Sequence, residues 1–68
     1  MTEKRLEKLY WELDELEANS YLLDWSADDI KMLNITKLNI RGIIYKNFHS
    51  GEKPEKVMMD MIARRTNE

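Results

Sequence analysis

Residues 26–51 read SADDIKMLNITKLNIRGIIYKNFHSG, and the fold turns on how this stretch is read. Ser26 followed by Ala27, Asp28 and Asp29 has the form of an N-cap with acids in the first turn, Asp29 standing where a capping box prefers Glu. Gly51 is a natural residue just past a helix C-terminus. Between these signals lie Ile30, Met32, Leu33, Ile35, Leu38, Ile40, Ile43, Ile44, Tyr45 and Phe48. On a helical wheel they leave one narrow polar strip: Asn39, Gly42, Lys46 and His49. A helix that is apolar nearly all round is expected to be central and buried. Unbroken, it would be about 36 Å long, a great length for so short a chain. A break at Asn34, Ile35 and Thr36, with Thr36 capping a second piece, is therefore one reading. A strand is the weaker reading, because the alternation of Leu33, Ile35, Leu38 and Ile40 slips register at Thr36 and Lys37.

The flanking segments are helical as well. From about residue 2 to residue 23, Leu6, Leu9, Leu13, Leu16 and Leu23 recur at steps of three and four, with Ser20 in the remaining place and Tyr10 widening the stripe. The charge order here is odd. Lys4, Arg5 and Lys8 stand near the N-terminus and the acids follow, against the helix dipole. Something other than helix stability must place those acids. The last segment opens at Pro54, a good first helical residue, with Glu55 after it. Val57, Met58, Met61 and Ile62 make one apolar face. Asp60 and Arg64 form an i,i+4 pair, and Arg64 and Arg65 suit a C-terminus. The expected fold is all-α, a single domain over residues 1–68 built as a small bundle of three helices, or four if the middle segment breaks near residues 34–36.

Composition bounds the function. A 68-residue chain has a thin core and needs a supplement to its stability. It has no Cys and one His, so neither a disulfide nor a His/Cys metal set supplies it. Oligomerisation or partner binding is what remains. The N-terminal residues show no apolar secretory region, and no apolar run approaches the ~18 residues of a membrane span. The expectation is a cytoplasmic protein with no cofactor, no metal and no membrane. High Ile, Lys and Asn content suits a low-GC bacterial or phage gene. Charge is split: residues 1–30 carry three basic and nine acidic side chains, residues 31–68 eight basic and four acidic.

Catalysis has little to stand on. A nucleophile needs an adjacent base, and His49 is read as a helix-end residue favourable to the dipole. The many carboxylates of the first segment read as a solvated face rather than an acid–base pair in a cleft. No Gly-rich phosphate loop exists. The chain is expected not to be an enzyme.

Two binding readings follow. In the first, the chain is a small regulatory or adaptor protein that acts by covering a partner protein, with homodimerisation as a further option. Trp11 lies off the Leu stripe, and Ala18, Leu22 and Trp25 fall on its side if the first helix is continuous. Glu12, Asp14 and Glu15 would form an acidic rim around this aromatic anchor. Met59 faces away from the apolar side of the last segment and joins the candidate partner-binding set. The competing reading ends the first helix near Asn19 and Ser20, turns Trp25 inward and packs Trp11 under the third helix. The second binding reading is a helix-turn-helix DNA-binding regulator, with helices over 27–33 and 37–49 and a turn at 34–36. Asn39 and Lys46, sharing a strip with His49, would then face bases, while Lys37 and Arg41 lie elsewhere among apolar neighbours. The apolar load and the acidic first segment count against it.

Overall fold

The computed structural model describes residues 2–66 of the chain, which form α1 (Glu3–Ala18), a 3-10 turn (Ser20–Leu22), α2 (Ala27–Phe48) and α3 (Pro54–Thr66), with no strand among them. The Thr2 hydroxyl oxygen accepts from the Arg5 amide at 3.3 Å and starts α1. Asn19 ends it: both its backbone N–H and its side-chain amide donate to the Glu15 carbonyl, at 3.1 and 3.0 Å. This side-chain competition for the last carbonyls stops the helix at Ala18, the shorter of the two ends that the sequence allowed.

At the start of α2 the capping box is complete. Asp29 N–H donates to the Ser26 hydroxyl at 3.2 Å, and Ser26 N–H donates to the Asp29 carboxylate at 3.0 Å. The helix then runs unbroken through residues 34–36. Thr36 caps no second piece; its hydroxyl donates to the Met32 carbonyl at 2.9 Å inside the helix. Gly51 takes the left-handed conformation, φ 94°, that lets the chain leave α2. Tyr45 then fastens this corner by donating its hydroxyl to the Glu52 carbonyl at 2.5 Å.

The core draws two residues from each helix: Leu6 and Tyr10, Ile40 and Ile44, Val57 and Met61. Leu9, Trp11, Leu13, Tyr45 and Met58 pack around it. The expected Leu stripe is half right. Its early members lie on the core, but Leu16 and Leu23 are exposed, beyond Trp11 and Asp14, where α3 meets α1. Nor is α2 a buried central helix. At about 33 Å it is longer than α1 (about 24 Å) and α3 (about 20 Å), which cover one side of it. Met32, Ile35, Leu38, Ile43 and Phe48 remain exposed. The molecule measures 39 × 24 × 22 Å, so one unbroken helix fits its long axis. No helix among the described residues is long and apolar enough to cross a membrane.

Candidate functional site

Trp11 sits on the α3 side of α1. Its ring meets Tyr10 edge-on, centroids 5.0 Å apart, and the Arg65 guanidinium lies 4.4 Å from its centroid. The indole Nε1 is buried and has no hydrogen-bond partner. Arg65 also donates to Asp14 at 3.1 Å. Asp14 is therefore not a rim residue. It shares Lys37 with Glu17, the ammonium lying 2.8 and 2.7 Å from the two carboxylates. Asn34, its amide turned with the nitrogen towards Glu17, donates to that carboxylate too. The Lys37 hydrogen bond holds the Asp14 carboxyl below its ordinary range despite partial burial. Burial works against the Lys37 ammonium, but its bonds to Asp14 and Glu17 outweigh that and raise its pKa. The acids that oppose the α1 dipole thus have a purpose: they hold cations of α2 and α3.

Glu12 and Glu15 are exposed on α1, as is Met59 on α3. Leu22 and Trp25 do not continue the Trp11 side, because α1 stops at Ala18. Leu22 stands out from the 3-10 turn and Trp25 is half-buried. The patch expected to run from Trp11 to Trp25 is replaced by two separate places. One is a shallow cleft between α1 and the end of α3, where Trp11 is flanked by Lys4, Lys8, Glu12 and Glu15.

The other is the tip of the α1–α2 hairpin. Tyr21 is 80% exposed and Leu22 69%, the highest values among the large apolar side chains. The turn that presents them is held by its own backbone. Leu22 N–H donates to the Asn19 carbonyl and Leu23 N–H to the Ser20 carbonyl, each at 3.0 Å. Asp24, Asp28 and Asp29 follow, all exposed. α3 reaches α1 at Trp11 and Asp14, a helical turn before Ala18, and leaves the tip uncovered. The sequence signal for this site was the pair Tyr21 and Leu22 after a helix-ending Asn19.

The four residues proposed for nucleic acid do not share one face. Asn39 and Lys46 are exposed, Arg41 is half-buried beside a groove lined by Leu38, Gly42 and Met58, and Lys37 is locked to α1. The turn at 34–36 that a helix-turn-helix requires is helical.

One constellation escaped sequence reading. His49, the C-cap of α2, lies between Glu3 of α1, which bonds its Nε2, and Glu52, 2.5 Å from its Nδ1. The Glu3 bond chiefly, then the Glu52 bond, raises the His49 pKa against a smaller burial effect. Glu52 in turn is lowered, by His49 first and Lys56 second. Arg64 donates from Nε and Nη2 to both oxygens of the buried Glu7, at 3.0 to 3.2 Å, rather than turning to Asp60. Glu7 raises the Arg64 pKa further. The i,i+3 spacing of His49 and Glu52 was visible in the sequence; Glu3 and Glu7, far away along the chain, were not. Glu3 and Glu52 flank opposite nitrogens of one ring, and no three such groups among the described residues are placed to hold a metal ion.

No protein-family model, curated protein or solved structure matches the chain at a significant level.

Proposed function

We propose that this chain is a non-catalytic regulatory or adaptor module that binds a partner protein through the tip of its α1–α2 hairpin. The observation that carries this reading is the exposure of Tyr21 and Leu22 on a turn fixed by its own hydrogen bonds, with Asp24, Asp28 and Asp29 beside them. Tyr is a frequent anchor of binding energy in protein interfaces. An ordered turn loses little freedom when it docks. The three carboxylates favour a partner with an apolar recess edged by Lys or Arg, and would speed its approach. Trp11 is less suited to this role, because Arg65 lies over its ring.

The test is affinity capture from native cell extract, with and without nuclease, followed by titration of the captured partner. Tyr21→Ala combined with Leu22→Ala should weaken partner binding at least tenfold while leaving the thermal melt unchanged. Met59→Ala should leave both intact. Capture that survives nuclease but is indifferent to the double substitution would move the site elsewhere. Capture that vanishes with nuclease would favour nucleic acid.

A further inference from the structure

The side of α2 turned away from the core carries Met32, Ile35, Asn39, Ile43 and Lys46. All five are exposed, Met32 at 62%. Their steps along the helix are three, four, four and three, a spacing that reads the same in both directions about Asn39. We infer that this face pairs with the same face of a second copy of the chain, antiparallel, with Asn39 on the two-fold axis.

A two-fold contact is self-complementary, so each residue must meet its mirror position. Here Ile35 meets Ile43 of the second copy, at both ends of the contact. Asn39 meets Asn39, and a side-chain amide carries both a donor and an acceptor, so two copies can satisfy one another. A single Asn in an apolar helix–helix seam fixes register in this way. Met32 meets Lys46, whose apolar stem lies along the thioether while its ammonium reaches the next turn, where Asp28 stands. Asp28 and Lys46 make no ion pair within their own chain among the described residues. A parallel pairing would set Asp28 against Asp28 and Lys46 against Lys46 and align the two helix dipoles, so charge selects the antiparallel one. Gly42 borders the stripe one heptad after Ile35. A Cβ there would meet nothing within 4 Å, so packing inside the chain does not call for glycine in this helix. A close approach from outside would.

The stripe is short. From Met32 to Lys46 it runs about 21 Å, and one helix pair of that length buries less than the ~800 Å² per partner of a standard interface. The association belongs to the transient class and should be read at high concentration.

The chain has no Cys, so single-cysteine variants report the geometry directly. With a short bis-maleimide at about 200 µM protein, where transient pairs are populated, Asn39→Cys should give a covalent dimer. Met32→Cys alone and Lys46→Cys alone should not, because each would lie about 21 Å from its own copy. An equimolar mixture of those two should cross-link again. Sedimentation should show the mass rising from 8.2 kDa with concentration. Ile35→Glu with Ile43→Glu should raise the concentration needed at least tenfold, circular dichroism confirming that the helices persist. A wild-type chain that stays monomeric at the highest loading overturns the inference. So does an Asn39→Cys variant that does not cross-link, or a Met32→Cys variant that cross-links alone as readily as Asn39→Cys.

Discussion

Arg65 lays its guanidinium over the indole of Trp11, 4.4 Å from the ring centroid, while the same group donates to Asp14 at 3.1 Å. The end of α3 is thereby fixed to the middle of α1 by a cation–π contact and an ion pair at once. Trp11 is part of the fold in this arrangement, its ring against Tyr10 and the core. Trp11→Ala should cost about 2–3 kcal/mol, below the usual range for a fully buried Trp because its outer edge is open. In a domain whose total stability is about 5 kcal/mol that is a large fraction, and the thermal melt should show it. Trp11→Phe should stay within about 1 kcal/mol of the parent, because the indole N–H it removes is buried without a partner. An unchanged melt for Trp11→Ala would return Trp11 to the list of surface anchors.

The clamp between Glu7 and Arg64 is lopsided, and its two halves should respond unequally. The Glu7 side chain is 12% exposed and that of Arg64 47%. Without Arg64, a buried carboxylate is left unpaired; without Glu7, a half-exposed guanidinium turns to water. Arg64→Ala should therefore cost about 2–3 kcal/mol and Glu7→Gln about 1 kcal/mol. Urea denaturation of both variants checks the order. Equal losses would mean that the Arg64 stem, not the carboxylate's desolvation, sets the cost.

His49 makes the fold sensitive to rising pH. Glu3 first and Glu52 second raise its pKa in the folded state above the unfolded value of about 6.5. Its stabilising contribution is complete below about pH 6.5 and is lost as pH climbs through the raised folded value. Arg64, 3.9 Å from Glu3, and Lys56, 3.2 Å from Glu52, keep some hold on the two carboxylates after His49 loses its proton. The melting temperature should fall modestly as pH rises above about 6.5, and His49→Gln should flatten that limb. A parent and variant with parallel pH profiles would show that the ring is neutral throughout.

What could be read from the chain itself was local. Ser26, Gly51 and Pro54 mark the bounds of α2 and α3 because caps and turns are short-range chemistry. The break at residues 34–36 failed as an expectation because it rested on the length of α2, and nothing in Asn34, Ile35 or Thr36 forbids a helix. Two ends for α1 were open, because Leu23 falls in step with the Leu stripe by period; the reading that stopped the helix near Asn19 and Ser20 holds, since Asn19 takes the Glu15 carbonyl. The hairpin tip was glimpsed through Leu22 but assigned to the wrong face, since the longer of those two ends rotates everything after it. The ion pairs joining Asp14 and Glu17 to Lys37, and Glu7 to Arg64, lie beyond any sequence window. The sole hint was their unfavourable order along α1.

Lys37 gives the sharpest test of those cross-helix charges. Its ammonium joins Asp14 and Glu17 of α1 to the middle of α2 and lies 5.4 Å from the Tyr10 ring centroid. Lys37 is 12% exposed but its partners 34% and 31%, so the pair falls between the exposed and the buried regimes. Lys37→Met should cost about 1–3 kcal/mol near neutral pH. The acid limb then separates charge from packing. Asp14 titrates below its ordinary range because of Lys37, so its contribution is present above about pH 3.9 and is lost as pH falls through the lowered value. The stability gap between parent and Lys37→Met should therefore narrow as pH falls below about 3.9 and the Asp14 carboxylate that Lys37 holds becomes neutral. Urea denaturation along that series measures it. A gap that stays constant to the lowest pH would mean that Lys37 acts through its stem against Tyr10, and the carboxylates of α1 would need another reason for their place.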